Sequence, residues 1–347
     1  MQRLIISLIL IALVSSNAYA IWPFTRHSDM ISYYAPCWGE GNKIYFIKKV
    51  THGTYIAFTP FALLQMGRYS VDKIEYYLCS MNYDGRDKEE IKELMCEKNI
   101  DRLKKEYKRR YGREWAGGSK LNAYMSYCED TNKLVYNLEW GMWSINVNGT
   151  GERLLDHHGI HPSFSPDGKK IVYWILGQPR DRYLEENYYT AHRSIWVMNA
   201  DGSNKKMIST TKIPEEQRDG TVVYKFDDTN PIWSPKGDLI AFVCKGWIWV
   251  MKPDGSERRR VIDGRHLYGW LSDGKKLLIG GYIFDLDGNL IKDIGFGGYG
   301  GYISLDAKLI ANPGFTIFDM ERKFKIDPFA DIKHPKHFVY KKPNNIW

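Results

Sequence analysis

The sequence predicts an all-β fold, a six-bladed β-propeller of four-stranded antiparallel blades carrying one short helical insertion or more. Three observations predict it. Five strand-like runs end in nearly the same turn: Asn82-Tyr83-Asp84-Gly85, Asn146-Val147-Asn148-Gly149, Asn199-Ala200-Asp201-Gly202, Lys252-Pro253-Asp254-Gly255 and Asp285-Leu286-Asp287-Gly288. The runs between turns are short and rich in β-branched and aromatic residues, which suit a pleated, half-buried surface. The whole unit recurs six times, and a recurring unit of this size signals a repeat architecture.

The clearest copy starts at His161-Pro162-Ser163-Phe164-Ser165-Pro166-Asp167-Gly168 and continues through Ile171-Val172-Tyr173-Trp174. It resumes at Ser194-Ile195-Trp196-Val197-Met198, turns at Asp201-Gly202 and ends near Ile208. The next copy runs from Asn230-Pro231-Ile232-Trp233-Ser234-Pro235 to Val261-Ile262. Each copy reads as four strands, a to d. Proline in Ser-Pro-Asp-Gly pre-sets φ for the a–b turn, and the later Asp-Gly accepts the positive φ of a tight c–d hairpin. Two weaker copies precede this pair and two follow it. The blades span about residues 29–97, 121–158, 159–209, 229–264, 265–294 and 295–328, with a tail at 329–347. Radial four-stranded sheets cover one another and leave few open edges; an open antiparallel array or two packed sandwiches is the alternative arrangement.

Ser-Pro-Asp-Gly, an aliphatic-aromatic strand, then Ile-Trp-Val-Met-Asn-x-Asp-Gly resembles the TolB-like β-propeller repeat. The resemblance is strong over residues 161–262 and weaker in the first and last blades. It implies a fold more than an activity, because such a scaffold hosts unrelated functions. TolB-like periplasmic proteins carry a separate α/β domain before the propeller, for which this chain leaves no room, so partner contacts of that domain are not carried over.

Residues 1–20 read as a signal peptide: Arg3, an apolar run over 4–14, and Ala18-Tyr19-Ala20 as a cleavage site. The run is too short to span a bilayer. The expectation is a periplasmic or secreted single-domain chain over 21–347, cleaved after Ala20. A net charge of +8 favours acidic partners, an anionic glycan or a membrane surface, while export argues against nucleic acid. Exported cysteines commonly pair, so at least one bridge is expected among Cys37, Cys79, Cys96 and Cys128, with Cys244 a buried free thiol.

The a–b and c–d turns are tight, whereas the long insertions, residues 51–73, 98–121, 175–193 and 210–229, all fall at b–c or d–a positions. In an up-and-down blade these positions share one rim, and long loops on a rigid scaffold commonly carry function. The first insertion contains an expected short helix over residues 59–67, with Phe61 and Leu64 as an apolar knob. The second is a basic helical segment over 99–113, with Ile100, Leu103, Tyr107 and Tyr111 on one stripe. The third supplies Arg180, Tyr183, Glu185, Tyr188, Tyr189 and His192, a mixture suited to a protein interface. An envelope protein is the expected partner.

Catalytic patterns are sparse. His157, His158 and His161 form the histidine cluster. Lyases with similar repeats use channel histidines with a divalent cation, so the resemblance makes this cluster the metal site of an alternative reading, a glycan-active enzyme or sensor. Otherwise the reading calls for no cofactor and assigns no catalytic residue. There is no Gly-x-Ser-x-Gly elbow, and residues 295–301 read as a tight glycine-rich link. Asn148-Gly149-Thr150 matches a glycosylation sequon but is also a repeat turn. Trp38, Phe164, Trp233, Trp270 and Tyr302 are expected to pack between neighbouring sheets.

Overall fold

The computed structural model describes residues 24–57, 67–95, 105, 108, 123–138, 141–176, 193–209, 213–216, 222–225, 227–295, 302–304, 308–311, 317–320, 325–326 and 328. Six four-stranded antiparallel sheets, each built from consecutive strands, are the blades of a propeller. The first holds β1 (Phe24–Trp38), β2 (Lys43–Ala57), β3 (Gly67–Asn82) and β4 (Glu89–Glu93). The second holds β5 (Tyr124–Cys128), β6 (Lys133–Leu138), β7 (Gly141–Asn146) and β8 (Arg153–Asp156). The third holds β9 (Gly159–Phe164), β10 (Lys170–Leu176), β11 (Arg193–Asn199) and β12 (Lys206–Met207). A two-stranded hairpin, β13 (Ile213–Glu216) and β14 (Val222–Lys225), comes next. The fourth blade is β15 (Asp228–Trp233), β16 (Ile240–Cys244), β17 (Trp247–Met251) and β18 (Arg259–Asp263). The fifth is β19 (Leu267–Trp270), β20 (Lys276–Ile279), β21 (Tyr282–Asp285) and β22 (Leu290–Asp293). The sixth is β23 (Tyr302–Ile303), β24 (Leu309–Ala311), β25 (Ile317–Asp319) and β26 (Lys325–Ile326).

The repeated turns form for the reasons their residues suggest. Gly85, Gly149, Gly202, Gly255 and Gly288 have φ between +83° and +89°, a region that a Cβ disfavours. At Gly288, Asp285 accepts the Asn289 N–H at 2.8 Å. In the other four the preceding Asp or Asn side chain accepts the backbone N–H two residues on, at 3.1 Å in Asp84–Arg86 and 2.9 Å in Asp254–Ser256. Asn148 does the same for Thr150, so the sequon is occupied by the turn. At the a–b turns, Ser165, Ser234 and Ser304 use the hydroxyl to accept the N–H of Lys170, Leu239 and Leu309.

A blade cannot bury both its faces alone, and the core consists of seams between neighbours. Met142 and Leu155 pack on Phe164, Ile171 and Tyr173 between the second and third blades. Trp174 and Ile195 meet Trp233 and Phe242 between the third and fourth. Further seams join the fourth to the fifth and the fifth to the sixth. Trp38, Phe46 and Met81 pack on Leu309, Ala311 and Ile317, which closes the ring between the first and sixth blades without any exchange of strands.

A polar device recurs at these seams. In the second, third and fourth blades the third residue after the Asn-Gly or Asp-Gly turn sends its side chain to the end of the previous blade or to the start of its own blade's first strand. Arg258 holds Asp228 through two bonds of 2.6 and 2.8 Å, with both side chains buried. Its guanidinium lies 4.8 Å from the ring centres of both Phe242 and Trp249, and Ser209 donates to the same carboxylate at 2.8 Å. The equivalent Lys205 reaches the Leu155 carbonyl and the Asp156 carboxylate, each at 2.7 Å. The equivalent Glu152 accepts the Met95 N–H at 2.8 Å and the Tyr136 hydroxyl at 2.7 Å, with Lys92 3.1 Å away.

Two expectations are corrected. Residues 51–57 and 67–73, expected in a loop, are strand: β2 and β3 run 15 and 16 residues, far beyond the blade-length strands expected. Residues 24–32 of β1, 49–57 of β2 and 67–75 of β3 belong to a second unit. Within it His52 bridges the strands: Nδ1 meets Asp29 at 2.7 Å and Nε2 meets Glu75 at 3.0 Å. Thr54 donates to Asp72 at 2.7 Å, and Lys73 pairs with Glu75. The expected disulfide is the second correction. Cys37, Cys79 and Cys128 are free, buried thiols, as Cys244 is. Cys79 is packed in the seam of the first and sixth blades and Cys128 in that of the second and third, while Cys37 bonds the Tyr127 backbone of the second blade. Three thiols committed to three different seams cannot pair.

Several expectations lie outside the described residues: the signal peptide, residues 58–66 with Phe61 and Leu64, Cys96, and the tail. Gly67, read as the end of a helix, instead begins β3. Lys105 and Lys108 of the basic segment are helical and exposed.

Arg258→Ala leaves the Asp228 carboxylate buried without its cation, so urea unfolding should show a loss of about 3–5 kcal/mol. Arg260→Ala, which removes an exposed guanidinium 3.9 Å from the Trp247 ring centre, should stay within about 0.5 kcal/mol of the parent. Hydrogen bonds donated to Glu75 and then to Asp29 raise the His52 pKa above its ordinary value of 6.5. That stabilisation is complete below about pH 6.5 and is lost as pH rises through the raised value. The stability difference between the parent and His52→Gln should therefore shrink between acid and mildly alkaline pH; a difference that grows with pH contradicts the bridge.

Candidate functional site

The first strand of each blade lines the central channel. Near its end each carries one residue that packs at the seam: Trp38, Tyr127, Phe164, Trp233, Trp270 and Ile303. The residue just before it serves the next blade. Ser126 accepts the Phe164 N–H at 3.1 Å, and Ser163 accepts the Trp233 N–H at 3.2 Å. Cys37 takes the same place for the Tyr127 backbone. The Ile232 carbonyl accepts the Trp270 indole at 3.1 Å, and the Tyr302 carbonyl accepts the Trp38 indole at 2.7 Å. In the fifth blade the position is Gly269, where an added Cβ would lie 2.9 Å from Ile303 Cγ2. Burial pushes the Cys37 thiol up to about 12 and keeps it neutral.

Three residues before the packing residue, Ala35, His161 and Asn230 adopt φ of +52° or +53°. The β9–β10 and β15–β16 ladders shift register near these points, the signature of a β-bulge. Asn and His tolerate this region better than most residues. The bulge turns the His161 N–H to the Asn137 side chain of the second blade, at 3.0 Å. The His161 ring lies 4.0 Å from Tyr124, centre to centre, and Nδ1 is buried without a hydrogen-bond partner. Burial lowers its pKa to about 4, so the imidazole is neutral at ordinary pH.

Within these strands lies a cavity of ≈ 430 Å³. Its wall includes Trp38, Tyr124, Tyr127, His161, Trp233, Tyr268, Trp270 and Tyr302 with several serines, and among the described residues no lysine or arginine lines it. Glu129 and Asp130, exposed at one mouth, are the charged lining residues. The Trp233 indole N–H, like His161 Nδ1, has no hydrogen-bond partner.

The three predicted histidines separate by environment. His157 is exposed, His158 is half-buried with its N–H on Asp156 at 2.7 Å, and His161 lines the channel. The rings of His157 and His158 are 6.2 Å apart. Among the described residues no three His, Cys, Asp or Glu side chains gather closely enough to hold a metal ion. Arg180, Tyr183, Glu185, Tyr188, Tyr189 and His192 lie outside the described residues, as do Phe61 and Leu64. Trp38, Phe164, Trp233 and Trp270 sit in the seams as expected, and Tyr302 packs beside one. The residue preceding each aromatic escaped notice because Cys, Ser, Ile, Gly and Tyr share no side-chain chemistry. Three of these positions use a side-chain atom, two a carbonyl and one the lack of a Cβ; only the spacing was legible.

Fold and channel together define a six-bladed propeller with TolB-like repeats. No family model matches the chain. A stretch of 41 residues is 54% identical to the Tol-Pal system protein TolB of Wolbachia pipientis subsp. Culex pipiens, covering 11% of this chain and 10% of that protein. A stretch of 142 residues is 28% identical to dipeptidyl peptidase 4 of Felis catus, covering 39% of this chain and 15% of that protein. The matches thus span only 10% to 15% of these relatives. Among solved structures, a Pyrococcus horikoshii acylaminoacyl peptidase aligns with TM-score 0.46 and 13% identity, over 83% of this chain and 43% of that one. A putative TolB from Agrobacterium tumefaciens aligns with TM-score 0.33 and 15% identity, over 70% and 91%.

The lowered His161 pKa has a stability consequence opposite in sign to that of His52. The unfolded chain binds this proton more readily, so the folded state loses stability as pH falls from about 6.5 towards about 4. A His161→Asn variant, which keeps a residue tolerant of positive φ, should lack that part of the acid slope in thermal melts from pH 7 to 4.

Proposed function

We propose that this chain is a protein-binding scaffold of the cell envelope, exported by its N-terminal segment and meeting its partner through the long b–c and d–a segments. The observation that carries the reading is the uneven length of the connections. Every a–b and c–d connection is short, the longest being residues 252–258. Residues 177–192 separate the paired ends of β10 and β11 at Leu176 and Arg193, and residues 94–123 separate β4 from β5. Antiparallel strands place b–c and d–a connections at the same end of a blade, so the elaboration is one-sided. The partial likeness to TolB, whose printed name places it in the Tol-Pal system, supports an envelope partner. The described residues supply no metal cluster, and the neutral His161 is committed to a bulge, which makes a lyase-like reaction the weaker reading. The likeness to peptidases reaches only part of those proteins.

The contacts assigned to the partner are Arg180, Tyr183, Glu185, Tyr188, Tyr189 and His192, with Phe61 and Leu64 from the first blade's insertion. Replacing residues 177–192 by a short Gly-Ser turn should leave the melting temperature within a few degrees and abolish affinity capture of the partner from envelope extract. Capture that survives this replacement removes the segment from the interface, and measurable hydrolysis or lyase activity by the purified chain overturns the scaffold reading.

A further inference from the structure

We infer that the outer edge of the fifth blade is a docking site for a partner protein, and that the segment it takes is a tight glycine turn. The fourth strands of the blades share a bulge. Ile91 in β4, Leu155 in β8, Val261 in β18 and Ile291 in β22 are each the extra residue where the ladder to the third strand shifts register. At the first three, the glycine turn of the next blade sits on the bulge. A Cβ added to Gly149 would lie 3.1 Å from Ile91 Cγ2, one on Gly202 would lie 3.6 Å from Leu155 Cα, and one on Gly288 would lie 2.6 Å from the Val261 carbonyl oxygen. Gly85 of the first blade sits likewise on Pro328, just past β26. Under these turns Leu155 is buried, and Ile91 and Val261 are half-buried.

The fifth blade lacks this cover. The sixth blade enters its turn as the others do: the Met320 N–H donates to the Lys308 carbonyl at 2.9 Å, as the Ala200 N–H does to Lys169 at 2.8 Å. Its sequence then reads Asp319-Met320-Glu321-Arg322, with Arg322 where the third blade has Gly202. Ile291 is 51% exposed, Leu290 57%, and Tyr282 on the adjacent β21 43%. All four residues of β22 are exposed, and among the described residues no strand pairs with its outer edge. Charge commonly guards such edges: β4 carries Glu89, Glu90, Lys92 and Glu93, and β18 carries Arg259, Arg260 and Asp263. β22 instead presents two adjacent aliphatic side chains ahead of Lys292 and Asp293. Three half-exposed side chains fall far short of the roughly 800 Å² a side of a stable dimer, which argues against a second copy as the occupant. The other seams show what fits a bulge of this kind: a turn whose glycine lets backbone, rather than a side chain, lie against it. This surface is a second one for the scaffold proposed above and does not involve residues 177–192.

The test uses the full chain with its isoleucine methyl groups labelled for nuclear magnetic resonance, the Ile291 signal being assigned by its loss in Ile291→Val. The probe is a peptide of residues 194–208, cyclised through added terminal cysteines, which carries the Asn199-Ala200-Asp201-Gly202 turn. The probe should shift the Ile291 methyl saturably. A Gly202→Val probe should bind at least about tenfold more weakly, because φ at Gly202 is +83° and a Cβ there both strains the turn and meets the bulge. Leu290→Asp, at an exposed position, should keep its circular dichroism melt within a few degrees of the parent and weaken the probe at least about tenfold, the effect of one lost apolar contact. Glu321→Asp with Arg322→Gly rebuilds the missing turn; it should shift the Ile291 methyl with no probe present and abolish probe binding. No saturable shift of Ile291, equal binding of the Gly202→Val probe, unchanged affinity in a folded Leu290→Asp, or full binding by the rebuilt turn each overturns the inference. So does a doubled sedimentation mass that Leu290→Asp abolishes, which makes a second copy the occupant. Capture that depends on residues 177–192 bears on the other surface alone, so the two proposals fail separately.

Discussion

The structure depends on the fact that each blade needs its neighbours. A four-stranded sheet has two apolar faces and no means of covering either alone, and here apolar packing covers them at the seams, with polar groups at fixed points of the repeat added in three blades. The inner bond from one blade's first strand to the next sets the spacing around the axis. The side chain after the Asp-Gly turn pins the outer part of the seam. Because the ring closes with the sixth blade against the first, through Trp38, Tyr302 and the cluster around Leu309, no blade keeps an uncovered face.

The repeat tolerates changes of chemistry where it preserves geometry. Arg258, Lys205 and Glu152 occupy one position with both signs of charge, and each finds a complement nearby: a carboxylate at the start of its own blade, a carboxylate with a carbonyl at the end of the previous blade, and an N–H after the previous blade with a hydroxyl of its own. Cys37 stands where two other blades use serine. A buried cysteine behaves as a small apolar residue with weak hydrogen bonding, which explains why a cysteine-containing chain that reads as exported carries these sulfurs as packing atoms.

The fold was legible because turns and strands are local. Asp-Gly and Asn-Gly turns, Ser-Pro-Asp-Gly and the alternation of β-branched residues act within a few residues, and the structure follows them closely. The unusually long first blade was not read, although Tyr55-Ile56 and Tyr69 to Val71 carry strand-forming residues. Residues 51–73 were read as an insertion, with Thr59-Pro60 as the start of a short helix ending at Gly67. The disulfide expectation failed because it rested on compartment, whereas the fate of Cys37, Cys79 and Cys128 was fixed by which seam each faces. The channel was partly legible: its aromatic positions were named from the repeat, but the cavity they enclose depends on which side chains the ring brings together across more than a hundred residues.

The central claim is that the seams make one cooperative ring. Native-state hydrogen exchange of the Tyr127, Phe164 and Trp233 amides, one from each of three seams, tests it most directly. The ring predicts that all three, together with Ile310 in the sixth blade, open with a single free energy equal to that of global unfolding. Blades that lose protection one after another, with the first or sixth opening well before the rest, would contradict it.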